Sequence, residues 1–331
     1  MKSWLWRGIG AVALAYVLGV LVLMWWWDYE PPHFDVAINT RELTTELTGA
    51  PRSVTGSVTT AALITGAQTL LDKRGGYLSN DRLPPGVIMD NVPNWEFGVL
   101  TATRDLARAL RNDFSRSQTQ SVEDRDLQEA DPLFSSPNDR WLLPSSESQY
   151  RKAIGYMRAY LGRLAAGGEP RAQFYARADN LADYLQVVST RLGSLSQRLS
   201  AAAGQVRLDT TLAGDPHAQQ TGAAPSAELV RTPWTKIDDN FYEARGYTWA
   251  LREQLEAIRV DFAPILASKN AAVSLEQIIR ELDESQRSLG SPVVLNGRPF
   301  GFFANHSLVM ANYISRANAA IIDLRELLKR G

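Results

Sequence analysis

Apolar residues between positions 170 and 203 recur at spacings that alternate between three and four. The residues between them, such as Asp179, Arg191 and Gln197, are polar, so one face of a helix would be apolar and the others exposed to solvent. The pattern predicts a long amphipathic helix that begins near Pro170 and must be covered by another long helix. Its stripe consists of Ala178, Leu181, Leu185, Val188, Leu192, Leu195 and Leu199.

The same spacing continues through residues 232–262, which we interpret as the helix that covers this stripe. A further stripe from Tyr150 to Leu164 ends at Gly167 and Gly168, and a short turn would then join it to the helix at Pro170 as an antiparallel hairpin. The remaining helical patterns cover residues 55–73, 94–114 with a continuation to Ala130, 274–290 and 310–328.

Two stretches do not follow the helical period. Residues 292–303 contain Asn296 and Gly297, which favour a tight turn, and we predict one small β-hairpin there. Residues 204–230 are rich in alanine, glycine, threonine and glutamine without periodicity, which is typical of a flexible linker.

Residues 8–27 are uncharged and predominantly apolar, long enough for a transmembrane helix. Lys2 and Arg7 precede this run whereas Asp28 and Glu30 follow it, so the positive-inside rule places residues 1–7 in the cytoplasm and the rest outside. The competing interpretation is a signal peptide cleaved near Ala15, although the apolar run continues well past that position.

A ridge of small residues, Ala11, Ala15 and Gly19, would allow two copies of the membrane helix to pair, so a homodimer is one hypothesis. Prolines at positions 31, 32 and 51 suggest that residues 28–54 form a stalk. The expected fold is therefore mainly α: a transmembrane helix followed by a periplasmic bundle of long antiparallel helices with one hairpin. Its soluble parts would be region 1 (55–203), the linker (204–230) and region 2 (231–331), which packs on region 1.

Composition excludes several classes of function. The formal net charge of −1 leaves no basic excess for binding nucleic acid. The chain has no cysteine, and His33, His217 and His306 are far apart, so we expect no metal site and no cofactor. An enzyme is therefore less favoured than a non-enzymatic protein.

The segment 75–98 joins two predicted helices and is rich in proline, glycine, asparagine and aromatic residues. Glu96 beside Trp95 resembles a general acid, with Asp90 as a second candidate, but Glu96 also suits a helix N-terminus and Asp90 a turn. The segment is thus either a binding loop or a plug for the end of the bundle. The candidate binding residues are Tyr77, Asp81, Asp90, Asn91, Asn94, Trp95, Glu96 and Phe97.

Three blocks carry a resemblance to a known family: GGYLSND at 75–81, PPGVIMDNVPNWEFG at 84–98 and FSRSQTQSVED at 114–124. In these blocks the chain resembles a family of uncharacterised proteobacterial inner-membrane proteins, classed as a domain of unknown function. The resemblance implies a Gram-negative source and one N-terminal membrane helix, and it brings no activity, cofactor or catalytic residue.

The first functional hypothesis is an inner-membrane-anchored periplasmic scaffold or accessory protein that binds other envelope proteins, because long amphipathic helices suit helical partners. The alternative is an enzyme or binding protein for envelope glycan or lipid that uses the 75–98 loop. A third hypothesis, lipid or lipoprotein handling between the helices, requires an apolar groove.

Overall fold

A computed structural model of the protein describes residues 2–117, 121–167, 172–208, 227–299 and 301–330. These ranges contain eleven α-helices and one antiparallel strand pair. The helices are α1 Lys2–Trp27, α2 Val36–Thr48, α3 Ser57–Asp72, α4 Asn91–Ala109, α5 Arg125–Phe134, α6 Ser146–Ala166, α7 Ala178–Ser200, α8 Ile237–Asp261, α9 Ala263–Ser268, α10 Ala272–Ser285 and α11 His306–Lys329. The strands are β1 Gln205–Leu208 and β2 Ala227–Val230.

The mainly helical fold agrees with the sequence patterns. Within α1, residues Trp6–Trp27 form an unburied helix that is long and apolar enough to cross a membrane. The other long helices share one core, in which α4 packs against α8 and α10 packs against both α8 and α11. Regions 1 and 2 therefore bury a common set of apolar side chains.

The neighbours of two helices differ from the prediction. The stripe of α7 is covered mainly by α11, and α8 packs chiefly against α4. Glycines explain the second pairing: a Cβ atom at Gly246 would lie 2.0 Å from the Trp95 carbonyl oxygen, so the α4 and α8 backbones are almost in contact. The predicted α6–α7 hairpin is also wrong, because α6 packs on α5, α3 and α2.

The helix expected to run from residue 94 to 130 is broken. After α4 the chain makes a single turn of π-helix, Leu110–Phe114, and α5 starts anew at Arg125. The Asp124 carboxylate accepts hydrogen bonds from the Asp126 and Leu127 amides and so caps α5. At the next helix, α7 begins at Ala178 rather than Pro170, which lies outside the described residues.

The β-hairpin predicted at 292–303 is wrong. In the described part of this segment the only ladder contact is an isolated bridge between Asn296 and Asn305. Asn305 instead caps α11 by accepting the Leu308 amide, and its side chain also donates to the Gly297 carbonyl, so the segment folds as a loop. The strand pair β1–β2 lies at the two ends of the predicted linker, and residues 209–226 of that linker lie outside the described residues.

The segment expected to be a stalk contains α2 and is packed against the bundle. Asp35 caps α2 by accepting the amides of Ala37 and Ile38, and Leu43 and Thr44 are buried. Threonine hydroxyls along α2 bond to carbonyls one turn earlier, so polar residues are accommodated against α3 and α6.

The bundle has two distinct ends. At the proximal end, which we define by residues 73–90, 135–145, 231–236 and 286–305, the last turn of α1 meets the body. At the distal end Phe114 and Phe262 have ring centroids 5.3 Å apart, and the Thr59 amide donates to Asp261. The helices α4, α6, α8 and α11 run from the proximal to the distal end, so the loops that precede them are proximal, whereas the start of α2 packs beside Val58 and Ala257 near the distal end.

Candidate functional site

The 75–98 loop lies directly beside the end of α1. Gly75 has a φ of 82°, and a Cβ atom there would lie 2.8 Å from the Trp27 ring, so only glycine fits the contact. The neighbouring Arg74 guanidinium lies 4.3 Å from the Trp26 ring centroid and 3.9 Å from that of Tyr29. The loop therefore holds the aromatic end of the apolar helix.

Glu96 is fully buried and holds the start of the loop against α4. Its carboxylate accepts hydrogen bonds from the Leu78 amide at 2.8 Å and from the Ser79 amide and hydroxyl, and it lies 2.5 Å from Lys73 Nζ. Burial raises the pKa of Glu96, and the Lys73 ammonium and the donated hydrogen bonds oppose that rise. This geometry supports a structural role, because the carboxylate has no exposed surface to offer a substrate.

Two aromatic candidates, Tyr77 and Trp95, are core residues in the structure. Tyr77 packs edge-on against Tyr150 and donates its hydroxyl to the Asn138 carbonyl at 3.0 Å, and burial raises its pKa. Trp95 is buried with its ring 5.2 Å from that of Trp249. Both rings fix the loop to the bundle.

The polar candidates are more accessible. Asn94 donates to the Asp90 carbonyl and to the Asp239 carboxylate, each at 2.9 Å, and so joins the starts of α4 and α8. Asp81 lies over Gly86, where a Cβ atom would be 2.0 Å from its carboxylate oxygen; burial, followed by the charge of Glu147, raises the pKa of Asp81. Phe97 and Asn91 are half-buried, and Asp90 is exposed.

Asp90 faces Asp28 across a cavity of about 180 Å³ between the loop and α1. Partial burial, followed by the negative charge of Asp90, raises the pKa of Asp28. The cavity thus places a carboxyl with a raised pKa beside a second acid. Its lining consists of Met24, Trp25, Asp28, Ile88, Met89, Asp90 and Asn91.

Two side-chain contacts tie the segment that follows α1 to the body. We call this pair of contacts, Glu30 with Arg245 and His33 with Glu253, the strap. Glu30 pairs with the buried Arg245 at 2.7 Å, and His33 Nδ1 lies 2.6 Å from the Glu253 carboxylate. Arg245 also donates to the Ser285, Gln286 and Arg287 carbonyls at the end of α10.

Sequence reasoning missed the strap and Lys73. The partners in the strap are more than 200 residues apart, and no spacing in the sequence signals their contact. The burial of Arg245 and Glu253 in α8 becomes visible only in the structure, because charged residues are ordinarily exposed.

Two further cavities lie on either side of Arg245, with volumes of about 280 and 250 Å³. The smaller one is mostly apolar and lies between α8, α10 and α11, beside Phe241 and Met310. Both are below the size of typical small-molecule sites. Across the described ranges, no group of three or more His, Asp or Glu side chains is placed to hold a metal ion.

The fold and this site define a helical-bundle protein with an exposed apolar N-terminal helix. The chain belongs to the family described as "uncharacterized protein conserved in bacteria" (DUF2333), whose model matches residues 1–331. This match confirms the resemblance seen in the sequence to a family of unknown function. Searches of curated proteins and of solved structures find no match for the chain.

Proposed function

We propose that this protein is a periplasmic scaffold or accessory protein of the Gram-negative cell envelope, anchored in the inner membrane by α1. The observation that carries the proposal is the strap, which joins the apolar helix to the bundle without a free linker. A body held in this way keeps one orientation to the membrane, and a fixed orientation suits a protein that positions partners.

The charges beside α1 support the topology in this proposal. Lys2 and Arg7 lie at its start, and Asp28 and Glu30 follow its end, so the bundle would lie on the periplasmic side. Tryptophans at both ends of α1 suit the two membrane interfaces.

Partners would bind the side of the bundle. Val187 on α7 and Ile322 on α11 are both exposed, and these two helices pack together along their length. The Arg325 side chain donates to the Ala182 carbonyl, which places the two exposed residues at similar heights on neighbouring helices. An apolar pair of this kind suits the apolar stripe of a partner helix.

One experiment tests the scaffold: a photoreactive residue at Val187, with the same probe at exposed Val273 as the matched control. We expect one envelope protein to be crosslinked in intact cells from Val187 and not from Val273. A phosphatase fused after residue 331 should be active, because the bundle would be periplasmic. An inactive phosphatase, or equal capture at both positions, would contradict the proposal.

The Asp28–Asp90 cavity favours a second candidate, an enzyme or binding protein for envelope glycan or lipid. Asp90 makes no side-chain cap hydrogen bond to α4, so Asp90→Asn should leave the fold intact. If Asp90→Asn altered envelope glycan or lipid composition while capture from Val187 failed, the enzyme would replace the scaffold. Glu96 is unsuitable for this test, because its replacement would disturb the core.

A further inference from the structure

The proximal end exposes an apolar surface that the preceding sections leave unexplained. Leu83 is 77% exposed and Leu143 is 92% exposed, and each lies in a bend of the chain at the proximal end. Solvated loops of soluble proteins seldom concentrate large apolar side chains in this way. We call the following set the apolar rim: Leu83, Val87, Ile88, Trp141, Leu142 and Leu143.

The two loops that carry the rim are joined as one surface. Arg82 donates to the Asp139 carbonyl at 3.1 Å, and Asn80 donates to the Arg140 carbonyl at 3.0 Å. The Tyr77 hydroxyl adds a third link to the Asn138 carbonyl. These bonds hold residues 82–89 and 141–144 side by side, so the rim is not a pair of unrelated loop tips.

The rim is continuous with the end of α1. Ile88 and Met89 line the same cavity as Met24 and Trp25, which belong to the last turns of the apolar helix. Arg74, just before the loop, stacks on Trp26 and Tyr29 at the same end of α1. If α1 crosses a bilayer, the surface of that bilayer lies at the level of these residues.

We infer that the apolar rim inserts into the interface of the bilayer that α1 spans and so rests the bundle on the membrane. Apolar and tryptophan side chains gain by transfer from water to this boundary, and Arg82 beside them would meet lipid phosphates. The same end exposes four more apolar side chains, Trp234, Val293, Phe302 and Phe303. The inference rests on the proposed membrane anchoring and adds a second contact to it.

The chain lacks cysteine, so single cysteines can carry a fluorescent label at chosen sites. The full chain would be reconstituted into vesicles of phosphatidylethanolamine with a minority of phosphatidylglycerol, some lipids carrying a nitroxide quencher high on the acyl chain. Labels at Ile88→Cys and Leu143→Cys report on the rim, and a label at Val122→Cys, 94% exposed at the distal end, is the control. A label at Val17→Cys, with a deep quencher, reports on α1 itself.

We expect quenching at Ile88 and Leu143 to exceed that at Val122 by about threefold or more, as for residues in the interface. In the Leu143→Cys chain, Leu83→Asp with Val87→Asp should remove most of that difference, whereas Val273→Asp should not. Quenching at Val17 together with equal, low values at Leu143 and Val122 would overturn the inference but leave the anchor intact. An unquenched Val17 would overturn the membrane anchor itself.

Discussion

At the scale of single residues, Lys73 and Glu96 form an ion pair with almost no exposed side-chain surface. Replacing Glu96 by alanine would leave the buried Lys73 ammonium without its charged partner and two loop amides without an acceptor. We expect Glu96→Ala to lower the free energy of unfolding by about 3–5 kcal/mol, measured by denaturant titration of the full chain in detergent.

The matched control for this change is Glu46→Ala. Glu46 also pairs with an arginine, Arg158, but its side chain is 63% exposed. An exposed pair of this kind contributes at most about 1 kcal/mol. Similar losses in the two variants would mean that burial of the Lys73–Glu96 pair has no special role.

Asp113, in the π-helical turn, gives a pH dependence. Burial, followed by the charge of Asp183, raises the pKa of Asp113 to about 6, and Arg116 opposes the rise. Because the folded chain holds this proton more tightly than the unfolded one, stability falls as pH rises from about 4 through 6. Asp113→Asn should therefore raise the free energy of unfolding at pH 7.

We expect a gain of about 1 kcal/mol, since Asp113 is only half-buried and solvent screens its charge. The measurement is a comparison of melting temperatures between pH 4 and 8 for the two chains. Asp183→Asn is the control, because removing the facing charge should reproduce part of the effect. Parallel pH profiles for the native chain and Asp113→Asn would contradict the assignment.

The sequence identified where the candidate loop lies but not what its residues do. Tyr77, Trp95 and Glu96 are candidate binding residues in the sequence, and all three are buried in the structure. A loop of this composition is equally consistent with a structural plug and with a functional site. Which side chains face inward depends on partners such as Tyr150 and Trp249, whose positions follow only from the packed bundle.

At the scale of helices, Gly98 and Gly246 permit the close packing of α4 and α8. A Cβ atom at Gly98 would lie 2.1 Å from the Glu243 carbonyl oxygen. Since a backbone cannot yield as a side chain does, we expect Gly98→Ala and Gly246→Ala each to destabilise the fold by about 2 kcal/mol or more. Thermal unfolding of the full chain measures the effect.

Gly155, in α6, is the control, because nothing lies within 4 Å of a Cβ atom there. Alanine at this exposed helical position should stabilise the fold by about 0.5–1 kcal/mol, since glycine costs backbone entropy. If all three substitutions stabilised the fold, helix propensity rather than close packing would be the dominant effect.

Periodicity predicted most helices and did not predict their neighbours. An apolar stripe shows that a helix face is buried, yet it does not show which helix covers that face, and in the structure α7 packs mainly on α11 rather than on α8. The break after Phe114 was also missed, because no proline or glycine causes it. The cap at Asp124, held by Arg163 from α6, comes from tertiary structure.

At the scale of the whole molecule, the strap should govern how the segment after α1 is attached. Arg245→Met would release Glu30 and the carbonyls at the end of α10. We expect chymotrypsin to cut the segment 28–35 several times faster in vesicle-bound Arg245→Met than in the native chain, as expected for local opening. Arg280→Met, which breaks an exposed pair within α10, should leave the rate unchanged.

The helical class, the apolar N-terminal helix and the family were all predictable, because each depends on local composition or on short sequence blocks. The absence of a free stalk was not predictable. Prolines near residues 31 and 51 suggested one, and the packing of α2 against α3 and α6 depends on threonines that bond within their own helix. When polar side chains make their hydrogen bonds within their own helix, the sequence gives no sign that the helix is buried.

The strap also determines how far the distal end of the bundle lies from the end of α1. α8 has 25 residues, so the bundle is roughly 37 Å tall at the usual helical rise. With no slack between α1 and the body, the chain would act as a rigid spacer whose tip stands at one height above the bilayer. A component that touches the distal end at the exposed Val122 would have to come to that height, and lengthening the segment around Pro32 would move the tip and abolish the contact.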